Sequence, residues 1–478
     1  MDEITSIYSS GLVIAAGTYD GVLAGWEFTD QPKSKGKKNT GKNVRLTLTF
    51  ATTVHEGSVR SLCMAGNANN ESEPGTLLSS GYDETLKTHD WHKRQTSSGE
   101  VRTPDGFGTP ICSAFAPPDH STHCVVGFSS NGKICIYKKR DWSVQHVLAG
   151  HDGGIGTLAL AVHPTGKLAL SGGLTDGKLK LWDLTKGRLS YVNKINSTTI
   201  RSGRANYDPI SSVIWSKDGN FYAFSHGSHI TVREVTTGKT LLDVELPSRV
   251  NQVSLMSGPD GLFVAAACND GSLPVLAVED NNKESRRAIM AIEPVDSHLA
   301  REERFKCIQS VRDYYVVTAN SAGVVSLMNL QGAINMMMSR YAKDDANSPI
   351  NDDDSDDDDD SDDDSESVMQ EESDEGDDTE LAVDIIESVG LGTGARITCL
   401  AAWCKPKAIQ IDETEQPKPI HEAENKPPMN YERTYMKRKF ESKADECMDA
   451  DTVQKARSLV KKAQKLKRKR AKKKNIKK

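Results

Sequence analysis

Short runs of alternating apolar and polar residues follow one another along most of the chain. The stretch "KLKLW" at 178–182 alternates with a period of two, which is typical of a half-buried β-strand. Runs of small and apolar residues, such as "KLALSGG" and "LFVAAAC", stand just before polar turns. The pattern therefore predicts many short strands joined by tight turns.

The strand pattern is an internal repeat with a period of roughly fifty residues. In each copy a turn residue precedes, by six positions, the residue at the end of the third strand, and that residue is aromatic in the clearest copies. The pairs are Asp20 and Trp26, Asp83 and His89, Asn131 and Tyr137, Asp176 and Trp182, Gly227 and Arg233, Asp270 and Leu276, and Ala322 and Met328. Several short strands in each copy indicate an all-β fold, a seven-bladed β-propeller.

The best-formed copy also contains polar residues that suit a buried hydrogen-bond chain. Trp182 would donate to Ser171, Ser171 to His151, and His151 to the turn residue Asp176. The alternative is a hydrolase triad of Ser171, His151 and Asp176. The repetition favours a structural role, because an active site would occur once. The related residues in the first and second copies are Asp20, Trp26, His55, Ser79 and Asp83.

A second alternative interpretation of the same stretch is a nucleotide-binding P-loop. Gly172, Gly177 and Lys178 approach the glycine and lysine spacing of that motif. A P-loop needs a Ser or Thr after the lysine to hold Mg²⁺, and a helix that begins there. Leu179 follows the lysine and continues an alternating strand. The sequence therefore favours a turn between two strands.

The first copy begins directly with a second strand, "GLVIAAG" at 11–17, and so lacks an innermost strand. A propeller with an incomplete first blade must be completed from the other end of the chain to avoid exposed sheet edges. The strand-like run Ala395 to Trp403 is the candidate closing strand, and Glu380 to Gly390 is the candidate outer strand of blade seven. The sequence therefore predicts a propeller over residues 1–404.

The net charge of −7 hides two segregated blocks of opposite sign. Residues 344–380 hold 21 acidic and no basic side chains, whereas residues 453–478 hold 14 basic and no acidic ones. We expect 344–379 to be a disordered acidic insertion loop within the propeller, and 405–478 to be a Lys/Arg-rich tail that is disordered or helical.

The basic tail suits RNA, because clustered Lys and Arg neutralise phosphates without reading sequence. The same cluster satisfies a nuclear-import signal. The predicted contact residues are Lys461, Lys462, Lys465, Lys467, Arg468, Lys469, Arg470, Lys472, Lys473 and Lys474.

Other features restrict the class of protein. No run approaches the about eighteen consecutive apolar residues of a membrane span, and the N-terminus lacks the apolar core of a secretory signal. The nine cysteines are unpatterned, which favours reduced thiols in the cytosol or nucleus. The metal-like residues His120, His123 and Cys124 lack a second ligand cluster, so a surface loop is expected there. Neither a cofactor nor a metal is expected.

With these residues in view, the chain resembles the nucleolar WD-repeat family of the PAK-kinase-interacting protein and its fungal counterpart. The resemblance rests on "GTYDGVLAGWEF", "VHPTGKLALSGG", "LWDLTKGR", "ARITCLAAW" and the Lys-rich end. The resemblance implies a non-enzymatic scaffold for assembly of the large ribosomal subunit and pre-rRNA processing. The implied partners are pre-ribosomal particle proteins and pre-rRNA, and the implied location is the nucleus and nucleolus, as a monomer within a larger assembly.

Two other functions remain open. The family name implies a negative regulator that binds a PAK-type protein kinase directly. A substrate receptor of a ubiquitin ligase is less favoured, because the Asp-x-Arg ending expected of such receptors is absent after Trp182, where Asp183, Leu184 and Thr185 stand.

Overall fold

A computed structural model describes most of the first 405 residues. The described ranges are 11–30, 44–67, 70–91, 95–116, 121–151, 156–174, 176–195, 199–201, 204–206, 208–259, 261–278, 287–291, 303–347, 384–392 and 394–405. They all belong to the first of two units, Met1–Ile409, and the second unit, Gln410–Lys478, lies outside the described residues. In the described part of the chain no helix is long and apolar enough to cross a membrane.

The described residues form seven antiparallel four-stranded sheets, here called blades 1 to 7. Blade 1 contains β1 (Val13–Thr18), β2 (Val22–Asp30), β3 (Val44–Thr53) and β30 (Ile397–Trp403). Blade 2 contains β4 (Val59–Asn67), β5 (Asn70–Gly81), β6 (Thr85–Asp90) and β7 (Gln95–Arg102). Blade 3 contains β8 (Pro110–Ala116), β9 (His123–Phe128), β10 (Ile134–Lys138) and β11 (Val144–Leu148). Blade 4 contains β12 (Thr157–Val162), β13 (Leu168–Gly173), β14 (Lys178–Asp183) and β15 (Arg188–Lys194).

A small hairpin of β16 (Thr199–Arg201) and β17 (Arg204–Asn206) follows blade 4. Blade 5 contains β18 (Ile210–Trp215), β19 (Phe221–His226), β20 (His229–Glu234) and β21 (Thr240–Glu245). Blade 6 contains β22 (Val250–Gly258), β23 (Gly261–Cys268), β24 (Ser272–Val278) and β25 (Arg287–Ala291). Blade 7 contains β26 (Phe305–Arg312), β27 (Tyr315–Asn320), β28 (Val324–Asn329) and β29 (Asp384–Gly390), with helix α1 (Gln331–Asn347) between its last two strands.

The seven blades share one register, and this register explains the spacing in the sequence. The residue six positions after the turn residue lies on the third strand of every blade, opposite a fixed position on the second strand. The pairs are Trp26 with Ile14, His89 with Leu77, Tyr137 with Cys124, Trp182 with Ala169, Arg233 with Tyr222, Leu276 with Val264, and Met328 with Val316. The all-β, seven-bladed propeller expected from the sequence is confirmed.

The ring closes at blade 1, where β30 pairs antiparallel with β1, the neighbour that the sequence analysis expects for it. Gln309 of blade 7 holds β30 on one side: its side chain donates to Ala402 O over 3.0 Å and accepts from Ala402 N over 2.8 Å. Thr398 Oγ1 donates to Val59 O of blade 2 on the other side. The closing strand is therefore bonded to both neighbouring blades, and the first blade has no open inner edge.

The core lies between blades rather than within any one of them. Seven clusters of buried apolar side chains each join two successive blades, including one between blades 7 and 1. A sheet with two buried faces must bury its apolar residues against both neighbours. This arrangement explains the runs of small residues in the second strands, such as Ala265 and Ala267 of β23, which are fully buried.

Helix α1 was not expected from the sequence, although the sequence contains a capping residue and apolar residues at helical spacing. The Oδ1 of Asn329 accepts a hydrogen bond from Gln331 N over 3.0 Å and caps the helix. Leu330, Ala333, Ile334 and Met337 lie at helical spacing and are buried in the cluster between blades 6 and 7. The helix therefore begins directly after blade 7's third strand and covers one end of this cluster.

Candidate functional site

The four polar residues singled out in blade 4 meet in one chain of hydrogen bonds. The indole N–H of Trp182 donates to Ser171 Oγ over 2.8 Å. Ser171 Oγ lies 2.9 Å from His151 Nε2, and His151 Nδ1 lies 2.8 Å from Asp176 Oδ2. An indole only donates and a carboxylate only accepts, so Trp182 is the donor at one end of the chain and Asp176 is the acceptor at the other. The tautomer that carries its proton on Nδ1 lets His151 donate to Asp176 and accept the Ser171 hydroxyl at Nε2.

Blade 2 contains the same chain with a different donor at its start. His89 Nε2 lies 2.8 Å from Ser79 Oγ, Ser79 Oγ lies 2.8 Å from His55 Nε2, and His55 Nδ1 lies 3.0 Å from Asp83 Oδ1. Burial, together with the charges of His55 and Lys87, lowers the pKa of His89 to about 4. The neutral ring donates through Nε2–H, so His89 takes the place of the indole.

The aspartates at the end of each chain are ionised. Burial raises the pKa of Asp176, but the hydrogen bond and charge of His151 outweigh burial, so the pKa lies below its ordinary value. The backbone N–H of Lys178 also donates to Asp176 Oδ1. In blade 2, burial is likewise outweighed by the Thr85 hydroxyl and His55, which lower the pKa of Asp83. Each carboxylate is thus a fixed acceptor for its own turn.

A lysine two residues before the aromatic position extends both networks, and sequence reasoning missed it. Lys180 Nζ donates to Gly150 O, and Lys87 Nζ donates to Val54 O over 2.7 Å. Each carbonyl belongs to the residue just before the network histidine. A lysine at the same position of both repeats, on the buried face of an alternating strand, is the signal that could have revealed the contact.

Glycine at the end of the second strand makes room for the His–Asp pair. A Cβ on Gly173 would lie 2.0 Å from Asp176 Oδ1 and 2.7 Å from His151 Nδ1. A Cβ on the equivalent Gly81 would lie 2.3 Å from His55 Nδ1. Such distances are far below van der Waals contact. The shared glycine is therefore part of the network's architecture.

The hydrolase interpretation fails on access. Ser171 and Ser79 are completely buried, and His151 is only 2 % exposed. Each hydroxyl is also engaged on both sides, by a ring donor and by the network histidine. A nucleophile must reach a substrate carbon. These serines are packed between strands, where no substrate reaches them.

The P-loop interpretation is wrong for this segment. Gly172 lies within β13, and Lys178 begins β14, which runs antiparallel to it. Gly177 has a φ of 58° and completes the turn between these strands. No helix follows the lysine, so the backbone offers no cradle for phosphates.

Blade 1 departs from the expected network. Trp26 is buried in the cluster between blades 1 and 7, but Asp20 is exposed, so its inclusion in a network is wrong. Ala16 stands where blade 4 has Ser171, since the register pairs it with Ala24, two residues before the tryptophan. Without that hydroxyl no relay from the ring to the turn aspartate forms.

The expected surface loop is wrong for His123 and Cys124, and His120 lies outside the described residues. His123 begins β9, and Cys124 lies in this strand, completely buried. Burial raises the pKa of the Cys124 thiol well above its ordinary value, so it stays protonated. Over the residues that the structure describes, no group of three or more His, Cys, Asp and Glu side chains could hold a metal ion.

A polar cavity of about 460 Å³ lies among the innermost strands. In all seven blades the register between the first and second strands shifts near the start of the innermost strand. The bulge residues line the cavity and are Arg60, Ile111, Leu158, Ser211, Asn251, Lys306 and Thr398. The charged members belong to blades 2 and 7, which flank blade 1, and the apolar members belong to blades 3 and 4.

A second cavity, of about 750 Å³, adjoins the first at Lys306 and Ile397. Its lining includes Arg304, Lys306 and Arg396. We call Arg60, Arg304, Lys306 and Arg396 the basic rim. Within the described part of the chain, none of these four cations forms an ion pair. The rim was not recognised from the sequence.

The predicted RNA contacts belong to the basic tail. All ten basic tail residues, Lys461 to Lys474, lie outside the described residues, and so do residues 348–383 of the acidic region. Residues 344–347 of the expected loop form the end of helix α1, and β29 is the outer strand of blade 7.

Comparison with known proteins agrees with the repeat. The WD domain, G-beta repeat family matches residues 142–183, which include most of blade 4. A p21-activated protein kinase-interacting protein 1-like protein of Danio rerio is 23% identical over 340 residues, covering 69% of this chain and 76% of the relative. One of the same name from Xenopus laevis is 25% identical, covering 52% of this chain and 60% of the relative.

A fungal relative extends the comparison. The Shk1 kinase-binding protein 15 of Schizosaccharomyces pombe is 27% identical over 277 residues, covering 57% of this chain and 67% of the relative. The vertebrate and yeast matches, the repeat match and the seven-bladed ring agree with one another. The chain therefore contains a WD repeat within a seven-bladed propeller and is similar in sequence to the p21-activated protein kinase-interacting protein 1-like proteins and to the Shk1 kinase-binding protein 15.

Proposed function

We propose that the protein is a non-enzymatic scaffold in the assembly of the large ribosomal subunit and the processing of its pre-rRNA. In this proposal the propeller docks pre-ribosomal proteins, the tail holds pre-rRNA, and the protein acts in the nucleolus. The observation that carries the proposal is the segregation of charge: 14 basic and no acidic residues at 453–478, on a chain whose net charge is −7. Clustered cations bind RNA phosphates whatever the base sequence.

The buried networks support the scaffold part of this proposal. The Ser and His side chains that could suggest catalysis are closed off inside blades 2 and 4, so they stabilise blades instead. In this proposal the surface of the propeller is what the protein partners contact.

Salt-dependent RNA binding by the full chain and by a chain ending at Val460 tests the RNA role. The full chain should bind RNA with little sequence preference, and its affinity should fall steeply with added salt, as expected for released counterions. The shortened chain should lose this binding and keep the thermal unfolding of the propeller. Undiminished RNA affinity after the deletion would contradict the assignment to the tail.

The acidic block provides a second check. Residues 344–380 carry 21 acidic side chains and can compete with RNA for the tail within one molecule. A chain lacking 348–380 should therefore bind RNA more tightly than the full chain at low salt, with the difference shrinking as salt screens both interactions.

The names of the relatives favour a second candidate, direct binding of a PAK-type protein kinase, and restraint of that kinase is the further part of this proposal. The fungal relative is named for binding the kinase Shk1, and the vertebrate relatives for interacting with p21-activated kinase. Kinase restraint has no need of a basic tail. A kinase partner should therefore bind the full chain and the chain ending at Val460 equally, measured by calorimetry with a purified PAK-type kinase domain.

A further inference from the structure

We propose that the basic rim, with the exposed Tyr19 and Tyr82, forms a docking surface for an acidic segment of a partner protein. This inference rests on the proposed role of the propeller as a protein scaffold, and it adds the face that is used and the chemistry of the partner.

The two tyrosines occupy equivalent places on neighbouring blades. Each stands directly before the turn aspartate of its blade, between the second and third strands, and they are 61% and 66% exposed. Tyr19 N–H donates to Arg396 O over 2.9 Å, and Tyr82 N–H donates to Ser58 O over 2.9 Å. Ser58 lies two residues before Arg60. The backbone therefore ties both tyrosines to the segments that bring two rim cations to the cavity.

The residue types suit a protein interface. Tyr and Arg are enriched among the side chains that contribute most to protein–protein binding, because they combine large apolar area with directed hydrogen bonds. Single apolar side chains scattered over a protein surface are normal and need no explanation. Here two flank the same edge of the propeller as four cations, of which Arg60, Arg304 and Arg396 are exposed.

The acidic and the basic side chains of this surface differ in whether they already have partners. The acidic neighbours Asp270 and Glu303 are already engaged, since Asp270 accepts from Ser272 N and Oγ and Glu303 accepts from Asn320 Nδ2 over 2.6 Å. The rim cations form no ion pair with described residues. A partner carboxylate would therefore meet cations whose charge is not yet neutralised.

The lining favours a polypeptide over RNA. Asp270 and Glu303 line the larger cavity beside Arg304 and Arg396, so carboxylates and cations are mixed there, and a polypeptide with both kinds of side chain matches this pattern better than a uniform row of phosphates. The opposite side of the smaller cavity carries Ile111 and Leu158. A peptide brings both carboxylates for the rim and apolar side chains for these residues, whereas a phosphate backbone brings only charge.

Site-specific photo-crosslinking in the full chain tests the proposal. A photoreactive phenylalanine analogue replaces Tyr82 in one variant and Tyr191 in another. Tyr191 is the matched control because it is 61% exposed but lies on β15, the outer strand of blade 4. The probes are a short synthetic peptide of Glu, Leu and Ser, and a short poly-uridine RNA. Because crosslinking reports only local contact, binding of the peptide to the basic tail does not confuse the result.

The peptide should crosslink from position 82 about tenfold more strongly than from position 191, and Arg60→Glu with Arg396→Glu should reduce that yield about tenfold. Lys167→Glu, an exposed lysine between β12 and β13, should change nothing, and Arg304→Glu alone serves as a second rim variant. Thermal unfolding checks that each variant is folded. Equal yields at positions 82 and 191, no response to charge reversal, or crosslinking of the RNA in place of the peptide would overturn the proposal.

The two proposals fail separately in this design. Loss of the rim result with intact tail-dependent RNA binding would remove only the docking surface. Loss of tail-dependent RNA binding with an intact rim result would remove only the RNA role.

Discussion

Blades 4 and 2 contain the same hydrogen-bond chain with different first donors, an indole in one and an imidazole in the other. Trp182 and His89 reach the serine over the same distance of 2.8 Å, and both chains end at an ionised aspartate. What is preserved is the direction of donation, from a ring N–H through serine and histidine to a carboxylate. The hydrogen-bond chain therefore stabilises the turn and the second strand in both blades. Either an indole or an imidazole can be its first donor.

The two blades differ in how pH affects the first ring of the network and in the size of the residue opposite that ring. The indole stays uncharged at every pH, whereas the imidazole of His89 acquires a buried positive charge when it is protonated. Trp182 packs opposite the small Ala169, and His89 packs opposite the larger Leu77. The smaller ring in blade 2 therefore matches a larger neighbour.

Removing the indole is expected to have the largest effect. Trp182→Ala deletes a buried aromatic ring and leaves Ser171 without its donor, so it should lower the free energy of unfolding by roughly 3–5 kcal/mol. Chemical denaturation measures the change. A loss below about 1 kcal/mol would mean that blade 4 does not depend on this ring. Trp182→His, which copies blade 2, should cost less than Trp182→Ala.

Acid should weaken blade 2 by up to about 3 kcal/mol. The pKa of His89 falls from 6.5 unfolded to about 4 folded, so between these values the unfolded chain binds more protons, and stability falls as pH falls. Burial also lowers the pKa of His55, against the influence of Asp83. Below the ordinary carboxyl pKa, protonation of Asp83 and Asp176 removes further stability.

His89→Gln isolates this titration. The glutamine amide can donate to Ser79 but carries no titratable proton in this range. The variant should lose less stability than the natural chain between pH 6.5 and 4, measured by denaturation at a series of pH values. Identical pH dependence in both proteins would show that His89 is not the titrating group.

Removing the central hydroxyl should cost an intermediate amount. Ser171→Ala and Ser79→Ala each leave a buried ring N–H and a histidine nitrogen without a partner, a loss of roughly 1–3 kcal/mol. Since the two networks share no residue, the double variant should equal the sum of the singles within about 0.5 kcal/mol. Strong non-additivity, in the same denaturation experiment, would contradict two independent networks.

Placing a glycine in the turn between β5 and β6 of blade 2 should have the smallest effect on stability. Glu84 has a φ of 59°, at the position where blade 4 has Gly177 with a φ of 58°. A side chain with a Cβ is disfavoured there by about 1 kcal/mol. Glu84→Gly should therefore raise the free energy of unfolding by about 0.5–1 kcal/mol, and the matched change Gly177→Glu should lower it. Destabilisation by Glu84→Gly would indicate that the Glu84 side chain itself makes a needed contact.

The blade architecture could be predicted because its signals are local. A turn residue and the position six residues later occur within one hairpin, and their register is the same in all seven blades. The pairing of β30 with β1 could be expected from the absence of an inner strand in the first copy. Helix α1 could have been expected from the spacing of Leu330, Ala333 and Ile334, but the sequence analysis assigned no element to the residues that follow the seventh copy of the repeat.

The parts that were missed depend on contacts between distant segments. The role of Lys180 was not expected, because it depends on burial of the side chain and on a bond to a carbonyl of the preceding loop. The inclusion of Asp20 failed because the residue that decides it, Ala16, lies on another strand. The basic rim escaped notice because each bulge shifts the alternation by one residue, so no repeated pattern in the sequence marks Arg60 and Lys306 as equivalent.

The central claim, a propeller that docks proteins and a tail that holds pre-rRNA, is tested most directly by affinity purification from cells. Tagged full-length chain and a chain ending at Val460 are compared for large-subunit precursor RNA, ribosomal assembly proteins and PAK-type kinases. The full chain should retain precursor RNA together with assembly proteins. The shortened chain should lose most of the direct RNA contact, scored by crosslinking, and keep protein partners. Recovery of kinases without ribosomal precursors by both chains would contradict the claim and favour kinase regulation.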